Sequence, residues 1–139
     1  MQVNRRDIKA NFHNVEHHRA HMASTFFVSP YENAAVLSVD GMGDFTSTMW
    51  GSATGNKISV SGAIHFPHSI GILYTAVSQW LGFRQYGDEG KVMGLAPLGE
   101  DNYSDLFEDM VILTKRGIAL NLEYFQEDHL YTQIHYCYI

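Results

Sequence analysis

A small α/β domain of the α+β kind, an antiparallel strand meander flanked by helices, is what this sequence predicts, and three observations predict it. Eleven of its twelve glycines lie between Gly41 and Gly99, so the middle of the chain is built on turns. Within that stretch Ile58, Val60, Gly62 and Ile64 alternate with Ser59, Ser61, Ala63 and His65, the period of a half-buried strand. Further on, Ile70, Leu73, Tyr74, Val77 and Leu81 recur at i, i+3, i+4, i+7 and i+11, the stripe of one buried helical face.

In chain order, Asn14 is the expected cap of a helix from Val15 to about Phe27, which must stop before Pro30 because proline cannot continue the hydrogen-bond ladder. Then "AAVLSVD", "FTSTMWGSA" and "ISVSGAIHF" read as three strands joined by "GMGD" and "TGNK". Links that short connect antiparallel neighbours, since a parallel pair needs a long crossover. Ser69 is expected to cap the helix over 70–81 and Gly82 to end it. "GDEGKVMGLAP" reads as a loop entering a short helix, and "MVILTKRGIALNLEYF" as two short strands around a turn at Lys115 to Gly117.

At 139 residues the chain fits one domain, and 45% hydrophobic content without a low-complexity tract makes it globular. Fifteen acidic residues against nine basic ones give a net charge of −6, so no basic surface follows a phosphate backbone and no nucleic-acid partner is expected. Apolar runs break well before the roughly 18 to 20 residues of a membrane span, which leaves no membrane partner. The N-terminus "MQVNRRDIKANF" lacks the apolar core of a secretory signal, and a lone cysteine, Cys137, cannot close an internal disulfide. A cytoplasmic setting is the expectation, with Cys137 a packing or tail residue.

The chemistry-bearing stretch is "VEHHRAH", which holds three of the eight histidines. Helical positions four apart share a face, so His17 and His21 can meet at one ion, while His18 lies about 100° round and is expected to point elsewhere. Two imidazoles leave a metal short of ligands, and a solvated polar helix is the competing reading. Asp40 is the third candidate, because a carboxylate closing an apolar strand is costly without a cation or donors. After it, "GMGD" (Gly41, Met42, Gly43 and Asp44) reads as a tight hairpin whose backbone N–H groups can approach a phosphate. An ordinary turn is the alternative there. Lys91 is either solvated or near a phosphate, and His65 and His68 read as capping or packing residues.

Four ordered segments, "VEHHRAHMASTFFVSPYENAAVLSVDGMGD", "FPHSIGILYTAVSQWLGF", "GDEGKVMGLAPLG" and "IALNLEYF", together resemble the O-carbamoyltransferase family of nodulation and antibiotic-tailoring enzymes. The resemblance covers the chain from about Val15 to Phe125. It implies part of a lobe of the actin and sugar-kinase superfamily. It also implies a divalent metal, commonly iron with zinc as the other candidate, on His17, His21 and Asp40. The implied reaction moves a carbamoyl group from carbamoyl phosphate, by way of a carbamoyl adenylate made with ATP, to a hydroxyl of a small molecule. Asp40, Gly41, Met42, Gly43 and Lys91 would serve the nucleotide and its phosphates.

The family's first phosphate loop, second lobe and adenylate-forming domain have no counterpart here. Residues 1–139 therefore read as a single partial domain, a fragment not expected to catalyse alone and expected to form a homo-oligomer. Two competing functions stand beside this one: a non-catalytic remnant or oligomerising domain, and a threonylcarbamoyl-transferase-like protein acting on tRNA, which the acidic charge disfavours.

Overall fold

The first helix begins where Glu16 turns its carboxylate back onto the free N–H groups of His18 and Arg19, at 3.1 and 2.8 Å. In the computed structural model, which describes residues 9–125, that helix is α1, His17–Phe26. The expected cap at Asn14 is thus displaced by two residues: a Glu side chain reaches two orphan donors at once, which neutralises the helix start more fully.

Three strands follow, β1 (Asn33–Gly43), β2 (Thr46–Thr54) and β3 (Lys57–His65), paired antiparallel in the order β1-β2-β3. The meander expected from the alternation is present. Its first turn is not at "GMGD", however. β1 runs on to Gly43, which pairs with Thr46, and the reversal falls on Asp44 and Phe45, both with positive φ, 51° and 63°. Two left-handed residues in a two-residue link match the right-handed strand twist, so strand pairing imposes this conformation on Phe45 against its own preference.

Helix α2 (Ile70–Trp80) is capped by Ser69, whose hydroxyl accepts from Ile72 N at 3.1 Å, and is followed by Gly82 at φ 96°. Cap and stop are as expected, but the buried stripe is not. Leu73 is buried, whereas Ile70, Tyr74 and Leu81 are 40%, 42% and 50% exposed. The reason is that α2 approaches β1 through its first turn. An added Cβ at Gly71 would lie 2.7 Å from Gly41 Cα, so helix backbone sits directly on strand backbone there.

Helices α3 (Glu89–Leu95) and α4 (Ser104–Met110) precede a hairpin of β4 (Val111–Thr114) and β5 (Gly117–Leu120), the strand pair expected at that place. The hairpin is tied back to the α2 junction, where Leu120 N donates to His68 Nδ1 at 3.1 Å. Ser47, fully buried, donates to His68 O, and Thr46 Oγ1 meets His65 Nδ1 at 3.1 Å. His68 is accordingly a half-buried packing residue, whereas His65 is exposed and meets the Thr46 hydroxyl at the strand end. No helix among the described residues is long and apolar enough to cross a membrane. Cys137 lies outside the described residues.

Candidate metal centre

Helix α1 buries one stripe at a spacing of four, His18, Met22 and Phe26, and packs it on the meander. His18 is therefore a core residue with no exposure, not a water-facing one. Its ring spans two strands, with Nδ1 2.8 Å from Ser38 Oγ on β1 and Nε2 2.7 Å from Thr46 O on β2. With that stripe inward, His17 and His21 stand at its border and lean over the end of β1, as a 100° step requires.

There the two imidazoles meet Asp40. His17 Nε2 lies 2.8 Å from Asp40 Oδ2, His21 Nε2 lies 3.3 Å from the same oxygen, and the two Nε2 atoms are 2.9 Å apart. Two ring hydrogens can serve at most two of these three contacts. A shared cation serves all of them. Bonds of about 2.1 Å from a transition metal place neighbouring ligand atoms about 3.0 Å apart at right angles and about 3.4 Å apart in a tetrahedron. The observed 2.8 to 3.3 Å falls close to that range. Two imidazoles and one carboxylate also form a donor set that suits a divalent transition metal with open positions. The residues fit the group that the sequence led us to expect.

The surroundings of the Asp40 carboxylate favour its charged form. Burial by itself pushes the Asp40 carboxyl up, but the hydrogen bond from His17, the Gly41 N–H, the charge of His17 and the contact with His21 together hold it below its ordinary value of 3.8. Its second oxygen, Oδ1, accepts from Gly41 N at 2.6 Å, which fixes the carboxylate plane. That bond also commits the Gly41 N–H to Asp40.

Neighbouring residues hold the arrangement. Asp44 Oδ2 accepts from His17 N at 3.0 Å, joining the hairpin tip to the first turn of α1. Ser69 Oγ donates to Gly41 O at 2.6 Å, joining the start of α2 to the same strand end. Gly43 is needed for space rather than for a turn, since an added Cβ would lie 2.1 Å from the His17 ring. Met42 is half-buried between these glycines. Lys91 is held in α3, where its Nζ meets Asp88 Oδ1 at 2.6 Å. From His21 and Asp40 a groove of about 320 Å³ runs between α1 and β1, past Ser24, Thr25, Leu37 and Val39.

Residues 2–135 match the family model described as the carbamoyltransferase N-terminus. The chain belongs to that family. It is 36% identical over 104 residues to the nodulation protein NolNO of Sinorhizobium fredii, covering 74% of this chain and 15% of that one. It is 37% identical over 106 residues to the nodulation protein NolO of Bradyrhizobium diazoefficiens, covering 74% and 19%. Similarity extends to the Synechocystis protein sll1178, 46% identical over 112 residues, 79% of this chain and 18% of that protein. The chain thus spans less than one fifth of the length of these relatives.

Proposed function

We propose that this chain supplies the metal-binding part of a carbamoyltransferase that moves a carbamoyl group from carbamoyl phosphate, through a carbamoyl adenylate made with ATP, to a hydroxyl of a small molecule. The observation that carries the reading is the convergence of His17, His21 and Asp40 on one point in a chain of this family. A divalent cation, iron first and zinc second, would neutralise anionic oxygens there and polarise the acceptor oxygen.

The chain's own residues do the rest. Asp40, held ionised, supplies the anionic ligand and the anchor that orients both rings. The strand end from Gly41 to Gly43 lies beside the cluster, at a place where a phosphate could meet backbone and cation together. The groove past Ser24 and Thr25 gives a small acceptor access to the same point.

The test is metal content. The chain, purified without a histidine tag and loaded with ferrous iron or zinc, should hold one ion per molecule by elemental analysis. His17→Ala, His21→Ala and Asp40→Ala should each lose it. Retention of the wild-type stoichiometry by these variants would overturn the assignment.

A further inference from the structure

His18 stands between the two candidate ligands yet cannot be one. Both of its ring nitrogens are committed, to Ser38 Oγ and to Thr46 O, and its centroid lies 5.4 and 6.1 Å from those of His17 and His21. Thr46 O has only lone pairs, so Nε2 donates to it and Nδ1 is left to take the Ser38 hydroxyl hydrogen. A fully buried imidazole with two directional bonds to two strands is a costly way to fill a core position that a leucine could fill.

We propose that His18 is a positioning residue for the His17–His21–Asp40 centre, fixing the roll and height of α1 so that both flanking rings meet the carboxylate. The proposal rests on the metal-binding reading given above. Met22 and Phe26, the other buried residues of the stripe, make contacts without direction and let a helix roll. A roll of about 20° carries an atom about 6 Å from the helix axis through about 2 Å. Ligand distances in a metal site must hold to about 0.2 Å. Beside the Asp44–His17 N bond at the exposed start of the helix, the two hydrogen bonds of His18 resist such a roll directionally from within the core, and their partners belong to the elements that carry the site. Ser38 and Asp40 both turn toward α1, against His18 and His17, although the β1–β2 register shifts just beyond Val39, and Thr46 follows the hairpin tip whose Asp44 accepts from His17 N.

The experiment uses cobalt(II) as the probe, titrated into wild type, Ser38→Ala, Ser38→Thr and His18→Gln, with the d–d absorption and the melting temperature both recorded. Ser38→Ala should weaken cobalt binding about 10-fold or more, the scale on which partners behind a ligand act, and shift the d–d bands. Ser38→Thr, which keeps the hydroxyl, should restore both. His18→Gln, which keeps a donor for Thr46 O but not the Ser38 bond, should resemble Ser38→Ala; if it does not fold, Ser38→Ala decides. Variants that melt earlier yet bind cobalt with the wild-type affinity and spectrum would overturn the proposal. If wild type itself takes no cobalt, the metal reading fails. The positioning role is then decided by crystal structures of wild type and Ser38→Ala: a His17 Nε2 to Asp40 Oδ2 distance near 2.8 Å in both overturns it, and separation in the variant alone sustains it.

Discussion

Gly43→Ala should abolish metal binding at the proposed His17–His21–Asp40 centre while leaving the fold in place. A Cβ at this position would lie 2.1, 2.2 and 2.6 Å from Cδ2, Cγ and Nε2 of His17. Carbon atoms rest at about 3.5 Å or more, so the ring must retreat by about 1.4 Å. That takes Nε2 out of its 2.8 Å contact with Asp40. Because His17 is 39% exposed, the ring can swing toward solvent rather than push the helix off the sheet. The lost His17–Asp40 pair is partly exposed and is worth about 1 kcal/mol at most. Replacing a glycine whose φ is not left-handed returns about 0.4 to 1 kcal/mol through the unfolded chain. Stability should therefore stay within about 1 kcal/mol of wild type, a shift of no more than about 4 °C for a domain of this size. Metal affinity should fall by more than the 10- to 100-fold that losing a partner behind a ligand costs, since a ligand itself is lost. Cobalt titration beside thermal denaturation reads both quantities. Gly41→Ala is the control, because nothing lies within 4 Å of the Cβ it would add. Wild-type cobalt affinity in Gly43→Ala, or an equal loss in Gly41→Ala, would refute the reasoning.

Gly71→Ala should behave in the opposite way: its Cβ would meet Gly41 N and Cα at 2.7 Å and Asp40 O at 2.8 Å, backbone atoms that cannot swing aside. A loss of about 1 to 3 kcal/mol is expected, and an unaltered melting temperature would contradict it. Phe45→Gly should stabilise the chain in urea by about 0.5 to 1 kcal/mol, because relief of the left-handed φ of 63° exceeds the larger backbone entropy of glycine. Asp88 is held below its ordinary 3.8 by the Lys91 side chain and the Gln85 N–H, so the folded chain binds its proton less readily than the unfolded one. The stability this contributes is present above about pH 4 and lost as pH falls through the lower folded value, and Asp88→Asn should flatten the melting temperature across that window.

What the sequence makes legible is local. The period of two in β3 and the brevity of "TGNK" suffice for the meander, and Ser69 and Gly82 mark the ends of α2 by their own chemistry. Elsewhere the decisive partner is distant. The reversal at Asp44 and Phe45 contains no glycine and follows from the pairing of Gly43 with Thr46, completed by Phe66 N donating to Phe45 O at 2.9 Å. The exposed apolar stripe of α2 makes the same point, since periodicity shows that a face is apolar and not that something covers it.

The histidine cluster shows how far such reasoning carries. A 100° step separates His18 from His17 and His21, but it does not say which azimuth is the core. Residue type suggests that all three face water. The spacing of His18, Met22 and Phe26 suggests otherwise, because two large apolar residues at i+4 and i+8 extend a stripe that begins at His18. What pays for burying that imidazole is found 20 and 28 residues away, at Ser38 and Thr46, where no local pattern points. Once His18 is placed inside, the positions of the other two follow: a helix that turns its second histidine onto Ser38 must bring the first and the fifth residues of "HHRAH" to the border of the sheet, where Asp40 waits two residues further along the same strand.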